Sequence, residues 1–212
     1  MFWAHVISGI LVAFIGLIQI VRKKEGTLHR FLGRAYGLSW VILLISGIYL
    51  GGLLITFIGV FSFYFVVTGV RMAQLKDKEF HWVDRGIFLV GLLIASFMLI
   101  YAFYLFYLDE VSFGIILVVF GGIFFWTTLL DVLKFGVNKS KIKQKYGQLE
   151  WYFEHMTRML ISYIAAVTAF TSIQNIFREN TLNFLLPTAI GVLLILRLQR
   201  KHKKKLDLSS KR

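Results

Sequence analysis

Histidine and arginine recur together at three places in the chain. They occur in "HRFLGR" (29–34), "HWVDR" (81–85) and "HMTR" (155–158), and each stretch stands where an apolar run begins. Arginine pairs with phosphate or carboxylate through two hydrogen bonds, and imidazole carries protons and binds metals near neutral pH. The combination predicts a site that holds something negatively charged.

The predicted site has one member of another type. Asp131, in "TTLLDVLKF", is the carboxylate expected deepest inside an apolar run, where a charge is costly and needs a partner. We expect that partner to be Lys134 at i+3 or an arginine across the bundle. The predicted site residues are His29, Arg34, His81, Arg85, Asp131, His155 and Arg158.

The composition places these residues in a membrane protein. Of the 212 residues, 58% are hydrophobic and only 17% are charged, so the excess apolar surface must face lipid. The chain has no cysteine, which excludes disulfides, thiolate zinc sites and iron–sulfur clusters.

Seven apolar runs are long enough to cross a hydrocarbon core of about 30 Å. We therefore predict an all-α bundle of seven transmembrane helices, arranged as three helical hairpins and a closing helix. Residues 1–198 form a single domain in this interpretation, and 199–212 form a basic cytoplasmic tail. The predicted helices are 2–21, 28–50, 53–71, 86–107, 112–134, 157–177 and 182–198.

The basic residues predict the orientation. If the amino terminus lies outside and the carboxyl terminus inside, Arg178 is the only one of 24 Lys and Arg residues on the outer side. No basic segment precedes the first apolar run, which is thus expected to stay as a membrane anchor. The expected location is the cytoplasmic membrane of a bacterium. The net charge of +13 is attributed to anionic lipid headgroups, since the sequence has no nucleic-acid-binding motif.

This topology brings the three His/Arg stretches to one membrane face. Helices 2, 4 and 6 all run outward from the cytoplasm, and each begins with one of the stretches. Three helix amino termini carry partial positive charge and free N–H groups, and the arginines add to their attraction for an anion. The plainer interpretation is that interfacial arginines only bind lipid phosphates and fix the orientation.

Three hypotheses follow for the function. The first is a redox protein that handles haem b or a quinone, with His81 and His155 as axial ligands or proton carriers and the arginines paired with acidic groups. The second is a non-enzymatic transporter, lipid-binding protein or assembly factor that binds an anionic headgroup or solute. The third is a zinc-dependent membrane hydrolase, which ranks lowest because helix amino termini and arginines repel a dication. No catalytic residue is assigned.

His5, "LHRFLGRAY" (28–36) and "HWVDR" also carry a resemblance. They resemble a family of bacterial multi-pass membrane proteins that is classified as a domain of unknown function. In that family a histidine in helix 1 precedes an HR-x-x-GR-x-Y stretch entering helix 2, and a later histidine shortly precedes an arginine entering helix 4. The resemblance ends near the start of the fourth predicted helix. It supports the site residues and implies no particular reaction.

Overall fold

The computed structural model describes residues 1–22, 26–76, 80–137 and 149–209. In these ranges the chain forms seven helices, each long and apolar enough to cross a membrane, which confirms the predicted all-α transmembrane bundle. Most of the basic loop residues and the end of the predicted tail, 210–212, lie outside the described residues. The helices are α1 (Phe2–Val21), α2 (Gly26–Leu50), α3 (Leu53–Leu75), α4 (Trp82–Tyr107), α5 (Val111–Asp131), α6 (Glu150–Ile173) and α7 (Asn180–Ser209).

Polar residues extend several helices beyond their predicted limits at the predicted cytoplasmic side. α4 begins directly after His81, because the Asp84 carboxylate accepts a hydrogen bond from the His81 backbone N–H (2.9 Å) and so caps the helix. α6 begins at Glu150, whose side chain is buried in an ion pair. α7 continues as a helix to Ser209, through most of the segment predicted as a tail.

The helices form two rings that share α3 and α6. The first ring consists of α1, α2, α3 and α6, packed in that cyclic order. The second ring consists of α3, α5, α7 and α6 in cyclic order, and α4 packs outside it against α5 and α3. The predicted hairpin of helices 5 and 6 is replaced by a different arrangement, since α5 and α6 lie opposite each other across the second ring. Four-helix arrangements of this kind commonly build cofactor and ion sites from side chains on facing helices.

The two rings differ in what fills their centres. Interlocking phenylalanines fill the second ring, where Phe61 and Phe120 lie edge to face with ring centroids 5.5 Å apart. The buried cluster in the first ring is smaller and includes two aromatic side chains with polar atoms, Tyr36 and Trp40. The buried polar groups of both rings therefore lie among apolar side chains.

The outer surface of the bundle is apolar along the helices. Phe14 on α1, Leu93 on α4 and Leu193 on α7 are each more than 60% exposed. Side chains this apolar favour contact with lipid chains over water. The helices can also be in contact with lipid because their backbone polar groups are satisfied within each helix. The protein is thus a multi-pass membrane protein.

Candidate functional site

His29 and His155 meet across the first ring. Their ring centroids are 6.3 Å apart and their planes are nearly perpendicular (89°). His29 lies in the first turn of α2 and His155 in the second turn of α6, so both stand near the ends predicted to face the cytoplasm. We call these two residues the histidine pair.

α1 and α3 supply the groups that orient the histidine pair. The Gln19 amide nitrogen on α1 donates to the His29 backbone carbonyl (2.9 Å), which turns the Gln19 carbonyl oxygen toward His29 Nδ1. His29 Nδ1 donates to that oxygen at 2.5 Å. His155 Nδ1 donates to the backbone carbonyl of Gly69 on α3 at 2.8 Å.

The position of Gly69 depends on its lack of a side chain. A Cβ there would lie 3.1 Å from Arg158 Cβ and 3.1 Å from Met159 Sδ, which is tighter than ordinary van der Waals contact. Glycine therefore allows α3 and α6 to approach closely, and this approach brings the Gly69 carbonyl within reach of His155.

Both members of the histidine pair have the same tautomer when neutral. A carbonyl oxygen can only accept, so each Nδ1 carries the ring proton and each Nε2 carries the lone pair that binds a proton or a metal. A histidine that ligates a metal almost always donates its other ring N–H to a carbonyl or carboxylate in this way. The donor set of the histidine pair thus fits metal ligation as well as proton exchange.

The spacing of the histidine pair can be compared with known coordination geometry. Two imidazoles on opposite sides of one metal atom, with metal–nitrogen bonds of about 2.0 Å, have ring centroids about 6 Å apart. The observed separation of 6.3 Å matches this value. Two imidazoles at this separation would supply the two ligands that a haem iron takes from a protein.

Zinc fits the described residues less well. Structural and catalytic zinc sites use three or four protein ligands. In the part of the chain that the structure describes, no group of three or more His, Asp or Glu side chains is arranged to hold a metal.

A second polar feature crosses the second ring, and we call it the charged ladder. It consists of Asp131 and Lys134 near the end of α5, and Glu150, Glu154 and Arg158 on α6. Acidic and basic groups alternate along it, from the buried interior to the predicted cytoplasmic end. The α6 members are spaced at i, i+4 and i+8, which places them on one face of the helix.

The inner end of the charged ladder is fully enclosed. Arg158 donates from two nitrogens to Asp131, at 2.5 and 2.9 Å, and the two residues are 4% and 3% exposed. The Tyr64 hydroxyl donates to the same Asp131 carboxylate at 2.7 Å, and Arg158 donates to Thr68 Oγ1 at 3.0 Å. Asp131 is therefore paired with an arginine across the bundle, which is one of the two partners predicted for it.

The other end of the charged ladder, nearer the predicted cytoplasmic side, joins the same helices. Lys134 forms ion pairs with Glu150 and with Glu154, the latter at 3.0 Å. Glu154 also accepts from Arg158 at 3.1 and 3.2 Å. With Asp131, Glu154 and Thr68 as acceptors, every guanidinium nitrogen of Arg158 donates within the protein, so this residue is held as a structural partner and is not placed to clamp an external anion.

The chain departs from α-helical geometry directly after Asp131. Val132–Val137 form a π-helical segment at the end of α5. π-helical turns are rare in proteins and occur frequently at functional sites. This segment carries Lys134 toward α6, where the lysine reaches both glutamates.

The remaining predicted site residues lie apart from both features. Arg34 is exposed on α2, and Arg85 is exposed in the first turn of α4. His81 is exposed at the amino terminus of α4, beside Trp82. Within the described residues the backbones of α2, α4 and α6 do not pack directly against one another, and α3 lies among them. The structure therefore brings His29 to His155 and Asp131 to Arg158, and leaves the other three at the surface.

The sequence prediction did not include Gln19, Tyr64 or Thr68. A weak signal existed for Gln19, which is a polar residue inside the first apolar run. Tyr64 and Thr68 stand four residues apart and so share one face of α3, but their residue types are common in membrane helices. Gly69 contributes only its backbone carbonyl to the histidine pair, and no side-chain pattern could indicate that.

Comparison of the chain with protein-family models, with curated proteins and with solved structures finds no match in any of the three. The resemblance to bacterial multi-pass proteins seen in "LHRFLGRAY" thus stays a prediction.

Proposed function

We propose that the protein is a membrane redox protein that holds haem b between His29 and His155 in the first ring. The observation that supports this most strongly is the geometry of the histidine pair, with both Nδ1 atoms tied to carbonyl oxygens and a centroid separation of 6.3 Å. Bound there, haem supplies the exchange of single electrons.

In this proposal the residues around the histidine pair have defined tasks. Gln19 and the Gly69 carbonyl fix the orientation of the two rings and raise their basicity as ligands. Arg158 follows His155 by three residues, so the charged ladder, by tying α6 to α3 and α5, also sets the position of His155. The apolar side chains of the first ring limit the access of water, which influences the reduction potential of any bound cofactor.

The proposed ligand set differs from the one expected from the sequence. His81 was expected to be the partner of His155, but it caps α4 at the surface, and His29 stands beside His155 instead. We propose that Arg34 and Arg85, both exposed, bind phosphates of anionic lipids at the cytoplasmic face of a bacterial plasma membrane.

The test is a visible difference spectrum, reduced minus oxidised, of protein purified in mild detergent from cells supplied with a haem precursor. We expect a haem b spectrum with stoichiometric iron in the wild type, and its loss in His29→Ala and in His155→Ala. His81→Ala is the matched control, because it removes an exposed histidine at the same membrane face, and it should keep the spectrum. A colourless wild-type protein, or equal losses in all three variants, would contradict the proposal.

Quinone binding is the second candidate, and the common tautomer of the two imidazoles favours it. Each Nε2 can accept a proton from a quinol, and each ring can donate when it is protonated. Extraction of the purified protein with organic solvent would then release a quinone, in an amount reduced in His29→Ala and His155→Ala and unchanged in His81→Ala. A colourless protein that releases quinone in this pattern would replace haem by quinone in the proposal.

A further inference from the structure

The Trp40 side chain places a polar atom in the apolar cluster of the first ring. It is 3% exposed and lies among Val12, Ile15 and Val66. Its indole N–H is the one buried side-chain polar group that has no hydrogen-bond partner among the described residues. An indole nitrogen can only donate, and a donor buried without an acceptor costs free energy comparable to a lost hydrogen bond. Such a group requires an explanation, and a bound water or other small molecule is one that would satisfy it.

Tyr36, one helical turn before Trp40 on α2, presents an acceptor nearby. Its hydroxyl oxygen lies 2.9 Å from Ser162 Oγ, and Ser162 donates its only proton to the Met159 carbonyl (2.8 Å). Tyr36 must therefore be the donor to Ser162, and the lone pairs of its own oxygen are left to accept. The Tyr36 and Trp40 rings are in edge-to-face contact, with centroids 6.5 Å apart. The two side chains are in contact, but the indole N–H does not reach hydrogen-bond geometry with the phenol oxygen.

We propose that Trp40 and Tyr36 form a second binding site, which takes a hydroxyl oxygen from a molecule outside the chain. That oxygen accepts from the Trp40 indole N–H and donates to the Tyr36 oxygen. Two kinds of molecule carry such an oxygen into the membrane interior: an internal water, and a lipophilic alcohol or phenol such as a quinol. Each would satisfy both side chains with one atom.

This second site is separate from the histidine pair. Tyr36 follows His29 by seven residues and Ser162 follows His155 by seven, which corresponds to about 10 Å along each helix toward the membrane centre. Its occupancy does not depend on whether the histidine pair binds haem, so a failure of one proposal leaves the other in place.

The test uses the full chain in lipid nanodiscs, labelled with ¹⁵N at the indole nitrogen of tryptophan. The Trp40 resonance is identified by its disappearance in Trp40→Phe. Trp126→Phe is the matched control, since it removes an indole that is 61% exposed on α5. We expect the Trp40 indole proton to show a dipolar cross-peak either to water or to the hydroxyl of an added molecule.

The added molecule is decylubiquinol, a short-chain quinol. A cross-peak to water that persists in its presence assigns the site to an internal water. A saturable shift of the Trp40 signal on titration, with loss of the water cross-peak, assigns the site to a lipophilic hydroxyl. A Trp40 indole proton that shows neither response would overturn the proposal.

A second variant tests the acceptor without altering the indole. Tyr36→Phe removes only the phenol oxygen, so we expect it to shift the Trp40 resonance and to abolish or weaken the cross-peak. Tyr101→Phe, at a half-buried tyrosine on α4, should leave both unchanged. Identical spectra for wild type and Tyr36→Phe would rule out the phenol as part of the site, and the proposal with it.

Discussion

Tyr64 and Asp131 are joined by a 2.7 Å hydrogen bond that links α3 to α5 at the inner end of the charged ladder. Room for the Tyr64 ring is provided by Gly91 on α4. A Cβ at Gly91 would lie 2.5 Å from Tyr64 Cε2 and 3.0 Å from Thr128 Cγ2. The ring cannot move aside without losing its bond to Asp131, so the packing of α4 and the buried polar contact depend on each other.

Gly91→Ala is expected to destabilise the protein. The added methyl group must displace the Tyr64 ring, and overpacking of a close-packed interior costs about 1–3 kcal/mol. The free energy of unfolding can be measured in mixed detergent micelles by titration with SDS. The control is Gly122→Ala on α5, where a Cβ meets no atom within 4 Å. This control should be neutral or stabilise the helix by up to about 1 kcal/mol, and equal effects of the two substitutions would contradict the argument.

Removing Asp131 alone should be more damaging than removing both members of its ion pair. Asp131→Leu leaves the buried Arg158 guanidinium without its bidentate partner, and breaking a buried pair in this way costs about 3–5 kcal/mol. The double variant Asp131→Leu/Arg158→Met removes both charges from the buried end of the charged ladder. Glu154 still has its ion pair with Lys134. We therefore expect the double variant to be more stable than the sum of the single variants predicts.

A double-mutant cycle in the same SDS titration measures this coupling. The matched control pair is Arg71→Met and Asp84→Leu, an ion pair in which the arginine side chain is 35% exposed. Asp84 itself is buried (1% exposed), so solvent screens this pair only on the arginine side, and its coupling should be smaller than that of the fully enclosed Asp131–Arg158 pair. If the effects of the Asp131 and Arg158 substitutions on the free energy of unfolding are additive, the two charges do not stabilise each other and the prediction is wrong.

The limits of the sequence prediction are clearest at the start of α6. The hydropathy pattern predicts that the helix starts at 157, because the charged Glu150 and Glu154 are typical of a polar loop. The structure begins the helix at Glu150, since both glutamates form ion pairs with Lys134, just after α5, and Glu154 also pairs with Arg158. A hydropathy pattern reports which residues suit lipid, and it cannot report charges that are paired inside a bundle. The number of transmembrane helices follows from the apolar runs alone, and the predicted seven are confirmed.

The predicted site shows the same limit in another form. His29, His81 and His155 are equivalent in sequence context, since each stands near the cytoplasmic start of an outward helix. Only the packing decides which of them meet, and α3 lies among α2, α4 and α6. Asp131 could be identified in advance because a carboxylate deep in an apolar run needs a partner wherever it lies.

The predicted orientation can be tested directly because the chain has no cysteine. Thr27→Cys, exposed in the first turn of α2, should lie inside, and Ser112→Cys, exposed in the first turn of α5, should lie outside. In intact cells a membrane-impermeant maleimide should label only the second variant, and after permeabilisation it should label both. Labelling of only the Thr27→Cys variant in intact cells would reverse the topology and place the histidine pair at the outer face.

Gln19→Leu should weaken cofactor binding without removing a ligand. Gln19 makes two hydrogen bonds to His29, one of which fixes the ring proton on Nδ1, and loss of such an orienting partner typically costs about 10–100-fold in metal affinity. Titration of haem into cofactor-free protein, followed by the growth of the haem absorbance, gives the affinity of each variant. The matched control is Gln174→Leu, which replaces an exposed glutamine at the end of α6 and should bind haem as the wild type does. If Gln19→Leu binds haem with unchanged affinity and reduction potential, the orientation of His29 by α1 has no part in cofactor binding.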